Sequence, residues 1–188
     1  MAFKPTETFD GIWLLPTDPA NGCDIVIGGI TPTDERKAQG AVFSPTTASF
    51  AQSLLVRKAD FDNGTIADYP SFAGTGLVIG VVPGATGESY AQLRAKEAGL
   101  VASVLRQCPS DAELMPALRS GEITVIARGE IGNEYQASLD PSLVTIALPD
   151  FNEGFACPSI RRTANSRTHS CRRSVPSRRT ALWATGNG

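Results

Sequence analysis

The run GLVIGVVP, Gly76 to Pro83, constrains the fold more than any other stretch of the chain. Leu77, Val78, Ile79, Val81 and Val82 are apolar, interrupted only by Gly80 and stopped by Pro83. A strand with one wet face alternates apolar and polar side chains. A continuous apolar run fits a strand covered on both faces. Gly80 within it marks a place where a neighbour comes close to the backbone.

The residues after this run predict one long helix, from about Ser89 to Gln107. Ser89 and Gln92 have capping-box spacing. Leu93, Leu100, Val101, Val104 and Cys108 form an apolar stripe, and Ala91, Ala95, Ala98 and Ala102 a second stripe of small residues. Pro109 ends the helix. Ser110 and Glu113 repeat the capping-box spacing and open a short helix interrupted by Pro116. Ile123 to Ile131 alternates with period two, Ile126 excepted, and predicts a strand whose partner is Ser142 to Leu148. Towards the N-terminus, Gly11–Pro16 and the β-branched run Cys23–Ile30 read as strands joined by turn residues Thr17–Gly22. TPTDERKAQG reads as a polar loop and AVFSP as a short strand. SFAQSLLVRKADF fits helix or strand equally, and Asp62–Thr65 holds the Asn-Gly pair of a type I′ turn.

With Gly (18) and Pro (13) abundant and aromatics at 7%, the composition favours strands and loops over a helical bundle. The expected fold class is therefore α+β, mostly β: a small compact barrel-like or sandwich-like domain with one long helix packed on it. Helices do not alternate regularly with strands in this reading, which argues against a doubly wound sheet. The expected divisions are an extended arm at 1–10, a β-rich body at 11–150 and a basic tail at 151–188.

The only histidine is His169, in the tail. Ser–His–Asp and Cys–His devices need an imidazole beside the nucleophile, and most zinc and iron sites need His or clustered Cys. Cys23, Cys108, Cys157 and Cys171 stand far apart, without a CxxC pair, so no disulfide framework and no zinc ribbon is expected. GTGLVIG leads into a strand rather than a helix and lacks a P-loop lysine, so it is not a nucleotide fingerprint. PGATGES precedes the long helix, where an anion could bind. It holds no base, and Glu88 would repel an anion, so it reads as an ordinary turn. Carboxylate pairs, Asp60 with Asp62 or Glu122 with Glu130, are the one catalytic device left open. No cofactor and no metal is called for. No apolar run is long enough to span a membrane, and MAFKPTETFDG lacks the apolar core of a secretory signal. Manufacture and use in the cytoplasm, or in an assembly built there, is expected.

Seven of the 17 basic residues lie after Gly154, leaving ten against all 19 acids before it, a balance of −9 followed by +7. The tail has three readings: an arginine arm on nucleic acid, an arm along an acidic neighbour, or a segment translated out of frame. No function is rested on it, and nucleic acid is not expected as the partner.

GLVIGVV followed by RSGEITVIARGEI, carrying Gly80, Ser120, Gly121, Glu122, Val125, Gly129 and Glu130, resembles the head-decoration (cement) proteins of tailed phages. The resemblance implies a non-enzymatic virion protein that binds the major capsid protein, forms dimers or trimers and stabilises the shell. Its contacts would come from the arm, Phe3, Lys4 and Phe9, and from Arg161, Arg162, Arg172 and Arg173 of the tail. The alternatives are a small β-rich enzyme using carboxylates alone, or an accessory protein binding nucleic acid through the tail.

Overall fold

The computed structural model describes residues 3–72, 76–100 and 104–159. Its centre is one five-stranded mixed sheet in the order β3-β2-β4-β1-β5. The strands are β1 (Ala48–Arg57), β2 (Ile79–Val81), β3 (Leu105–Gln107), β4 (Val125–Gly129) and β5 (Leu143–Phe155). β2 runs parallel to both β3 and β4, while β1 runs antiparallel to β4 and β5. The sheet is open, not a barrel. The helices that cover it are as prominent as the strands: α1 (Asp34–Ala38), α2 (Lys58–Asp62), α3 (Thr86–Glu97), α4 (Asp111–Ser120) and α5 (Glu130–Leu139).

β2 is fully buried, as its apolar run requires. Leu54, Val56, Ile79, Val81, Val125 and Ala127 pack on one face under Tyr69, Phe72, Tyr90 and Ala91. Leu55 and Ile126 pack on the other face under Leu114, Ala117 and Leu118 of α4. Ile126, the exception to period two, is thereby explained: both faces of β4 are covered, so alternation is not required of it. Gly80 admits Ile123 and Leu114 where a Cβ would stand.

From β2 onward, helices and strands do alternate: β2-α3-β3-α4-β4-α5-β5. The chain steps from β2 to β3 through α3, then back across β2 to β4 through α4. Parallel crossovers are right-handed, so reversing direction puts the two helices on opposite faces. That is why α3 joins the first core and α4 the second.

Several expected elements differ. The long helix starts earlier and stops at Glu97, with Gly99 at φ 70 turning the chain away. Leu105 to Gln107 is an edge strand instead. Within α3, Ala91 and Ala95 of the alanine stripe are inside and Leu93 is exposed, while Val101 and Ala102 lie outside the described residues. Gly11–Pro16 is not a strand, because Ile12–Thr17 winds into a 3-10 turn. SFAQSLLVRKADF is both things in succession, β1 and then α2. Asn63 has negative φ, so Asn-Gly closes α2 through left-handed Gly64 rather than forming a type I′ turn. β5 pairs with β1, which lies between it and β4, so β4 and β5 are not neighbours.

A smaller lobe precedes the sheet. Ile12, Trp13, Ile30 and Ala41 form its core, with Phe9, Val26 and Phe43 packed around them. After β5 the chain returns to this lobe, bridging Pro158 to Phe43 and Ser159 to Ile25. Two adjacent segments therefore join lobe to sheet. They are tied together by Thr47 N–H to Phe155 O at 2.7 Å and Ser44 N–H to Cys157 O at 2.9 Å.

Candidate functional site

The carboxyl ends of β2 and β4 open where the chain reverses direction across the sheet, the place where open α/β sheets hold ligands. Antiparallel pairing brings the start of β1 to the same edge, Gln52 opposite Gly129, and with it the end of β5, Glu153 opposite Phe50. The small lobe faces this edge.

α3 begins here. Ala85 precedes it and supplies no side-chain cap, so the positive end of a twelve-residue helix is left uncapped. Gly87 lets that end settle directly on β4: a Cβ there would stand 2.8 Å from Ala127 O and 2.9 Å from Arg128 Cα. Glu88, the acid in the first turn, is held by two neighbouring donors. Its carboxylate turns back to accept from Gly84 N–H at 2.9 Å and from Gln107 Nε2 at 2.6 Å.

Arg36 comes from the small lobe and is only 4% exposed. Thr33 caps α1, its hydroxyl accepting from Arg36 N–H at 3.2 Å, and so sets the arginine's direction. The guanidinium lies 4.2 Å from the Trp13 ring centroid, and Trp13 is fixed in turn by donating to Gln39 Oε1 at 2.7 Å. It donates from Nη1 to Thr31 O and from Nη2 across to Gly84 O in the loop before α3, each at 2.7 Å. Burial pulls its pKa down from the usual arginine value, while the negative charges of Glu153, then Glu35 and Asp10, push it back up.

Beside it stands a polar cluster on the sheet. Glu153 is buried and accepts from Thr31 Oγ1 at 2.5 Å and from Gln52 Nε2. Gln52 Nε2 also reaches Thr86 Oγ1, in the first turn of α3, at 3.4 Å. A buried cation, an uncapped helix N-terminus and a buried carboxylate thus meet in one place, contributed by both lobes. Such an arrangement can hold a small anion that also carries hydrogen-bond donors.

Of the residues singled out in the sequence, Phe9 stands beside this site, its ring centroid 5.7 Å from the Arg36 guanidinium. Phe3 and Lys4 are exposed, and Phe9 packs edge-on against Trp13 at 6.3 Å. Arg161, Arg162, Arg172 and Arg173 lie outside the described residues. The carboxylate pairs do not form: Asp60 pairs with Arg57 and Asp62 with Lys58, each at 2.7 Å, and Glu122 and Glu130 flank opposite ends of β4. Arg36 was hidden in what reads as a polar loop. Thr33, three residues before it, was the available signal.

No protein-family model and no curated protein matches the sequence. Solved structures do match. An ancestral arginine-binding protein bound to arginine is 26% identical, with a TM-score of 0.70 over 87% of this chain and 67% of its own. The amino acid ABC transporter substrate-binding protein AbpA of Streptococcus pneumoniae, bound to L-arginine, is 21% identical, with a TM-score of 0.69 over 85% of this chain and 63% of its own. The ancestral amino acid-binding protein AncCDT-1, a precursor of cyclohexadienyl dehydratase, is 27% identical, with a TM-score of 0.67 over 85% of this chain and 64% of its own. The chain thus spans about two thirds of the length of the structures it resembles.

These neighbours overturn the likeness to capsid decoration proteins. They are amino-acid-binding proteins, so the capsid-stabilising role, the major capsid protein as partner and the virion as location all fall with it. The strand-and-turn pattern behind that likeness belongs to β2, β4 and the close of α4, which here build a mixed sheet under helices.

Proposed function

We propose that this chain is a solute-binding protein that captures a free amino acid between its two lobes and hands it to an ABC-type membrane transporter. Arg36 carries the reading: a buried guanidinium from the small lobe, aimed at the open N-terminus of α3 in the other lobe. A carboxylate seated between them would be held by a charge-assisted fork on one side and by backbone N–H groups on the other. The structural neighbours, named for binding arginine and other amino acids, support the same ligand class. The work proposed is binding rather than catalysis, with the transporter as partner and the solute taken up outside the cytoplasm.

Isothermal titration of the full chain against the common amino acids, L-arginine and L-glutamine first, tests this. One saturable site is expected. Arg36→Lys keeps the charge but loses the planar fork, and weakens binding by about 10- to 100-fold. A chain that binds none of these amino acids rules the reading out.

A further inference from the structure

We infer that Phe50 and Phe155 are positioning residues for the amino-acid site: their stacked rings form the bearing between the lobes that sets how Arg36 faces α3. This rests on the amino-acid-binding reading above. β1 begins and β5 ends at the two segments that join the lobes, with Ala48 opposite Phe155 and Phe50 opposite Glu153. The two rings therefore occupy diagonal positions on one face of the strand pair. Their centroids are 4.0 Å apart and their planes 28° apart. Phe50 is only 4% exposed, yet neither ring belongs to the apolar cores on the two faces of the sheet or to that of the small lobe.

Each ring is met by a glycine, and the two glycines come from different lobes. In the small lobe, a Cβ on Gly29 would stand 3.0 Å from Phe155 Cε1 and 3.1 Å from its Cζ. At the end of β4, a Cβ on Gly129 would stand 2.7 Å from Phe50 Cε2 and 2.8 Å from its Cδ2. Neither glycine has positive φ, so backbone conformation does not ask for glycine at either place. The rings do. The order Gly129, Phe50, Phe155, Gly29 thus runs from sheet to small lobe with contact at every step.

The stack adjoins the site at both ends. Gly29 is two residues from Thr31, which donates to Glu153 and whose carbonyl accepts from Arg36 Nη1. Gly129 lies opposite Gln52, which meets Thr86 in the first turn of α3. Movement of either ring is therefore passed to both walls of the site. Two linking segments alone would let the lobes tilt about the line of the links, and close-packed rings on that line resist it. The polar contacts across the cleft, Arg36 Nη2 to Gly84 O and Thr31 Oγ1 to Glu153, need the right tilt, because a hydrogen bond weakens steeply once its distance and angle are lost.

The test wedges the stack and then relieves it, using the full chain and L-arginine as the probe. Gly29→Ala presses a methyl group onto Phe155 and is expected to weaken L-arginine binding by about 10-fold. Adding Phe155→Leu gives back the volume that the methyl group takes, and is expected to recover most of the loss. A merely structural role would lower the melting temperature of Gly29→Ala and leave the affinity of the folded protein alone. Wild-type affinity in Gly29→Ala, or a loss that Phe155→Leu does not relieve, overturns the positioning role and leaves amino-acid binding standing. Failure of wild type to bind L-arginine or any other amino acid overturns both. Gly129→Ala, alone and with Phe50→Leu, puts the same question from the other lobe with the same results expected, so a folding defect in one pair does not blunt the test.

Discussion

At the scale of single residues, burial does more than sequence position to decide what a side chain does. Tyr69 shows this in the core under α3. It is 3% exposed, its ring meets Tyr90 edge-on at 6.1 Å, and its hydroxyl has no partner among the described residues. Burial, helped by the nearby Tyr90, raises its pKa above that of a free phenol. The unfolded chain therefore releases this proton first, once pH passes about 10. The stability that depends on it is complete below that pH and is lost as pH climbs towards the folded-state value. Tyr69→Phe is expected to leave the melting temperature unchanged or raised near neutral pH, because it removes an unpaired hydroxyl that costs about 1 kcal/mol or more. It should also soften the alkaline loss. Thermal melts from pH 7 to 11 on both proteins check the two points together. A large destabilisation at neutral pH would mean that the hydroxyl has a partner.

At the scale of elements, the decisive contact is α3 on β4. Gly87→Ala puts a methyl group against Ala127 O and the Arg128 backbone, neither of which can swing away. The helix end must lift, at a cost of about 1–3 kcal/mol, and the affinity for L-arginine should fall with it. Chemical denaturation and titration calorimetry on one preparation measure both. A loss of stability without loss of affinity would place the ligand away from α3. The elements also show what the sequence discloses and what it hides. β2 was readable because a strand covered on both faces must be apolar throughout; Ser110 does precede α4, but without the side-chain cap its spacing predicts, and Pro116 sits inside the helix without interrupting it. The end of α3 was not readable, because Gly99 stops a stripe that continues in period beyond it. The parallel order of β2, β3 and β4 was hidden too, since pairing partners tens of residues apart leave no mark on local pattern. The site was the least legible part. Arg36 owes its meaning to Gly84, 48 residues away, and Thr31 to Glu153, 122 residues away. A polar loop and a glycine-rich turn look bland until folding brings them face to face.

At the scale of the whole molecule, the site exists only where two lobes meet, and two short segments join them. Hydrogen exchange should therefore respond to ligand on both sides at once. Saturating L-arginine is expected to slow exchange around Thr31–Arg36 and around Thr86–Glu88 together, and at about 100 times Kd to stabilise the fold by about 2.7 kcal/mol. Protection confined to one lobe would contradict a shared site. The guanidinium of Arg36 already spends two of its N–H groups inside the protein, one in each lobe, and under the proposed function the others would meet an incoming carboxylate. Capture thus adds to the bond between the lobes and does not compete with it. Solutes that fit better should be told apart by how long they stay, with rates of arrival nearly alike and residence times far apart.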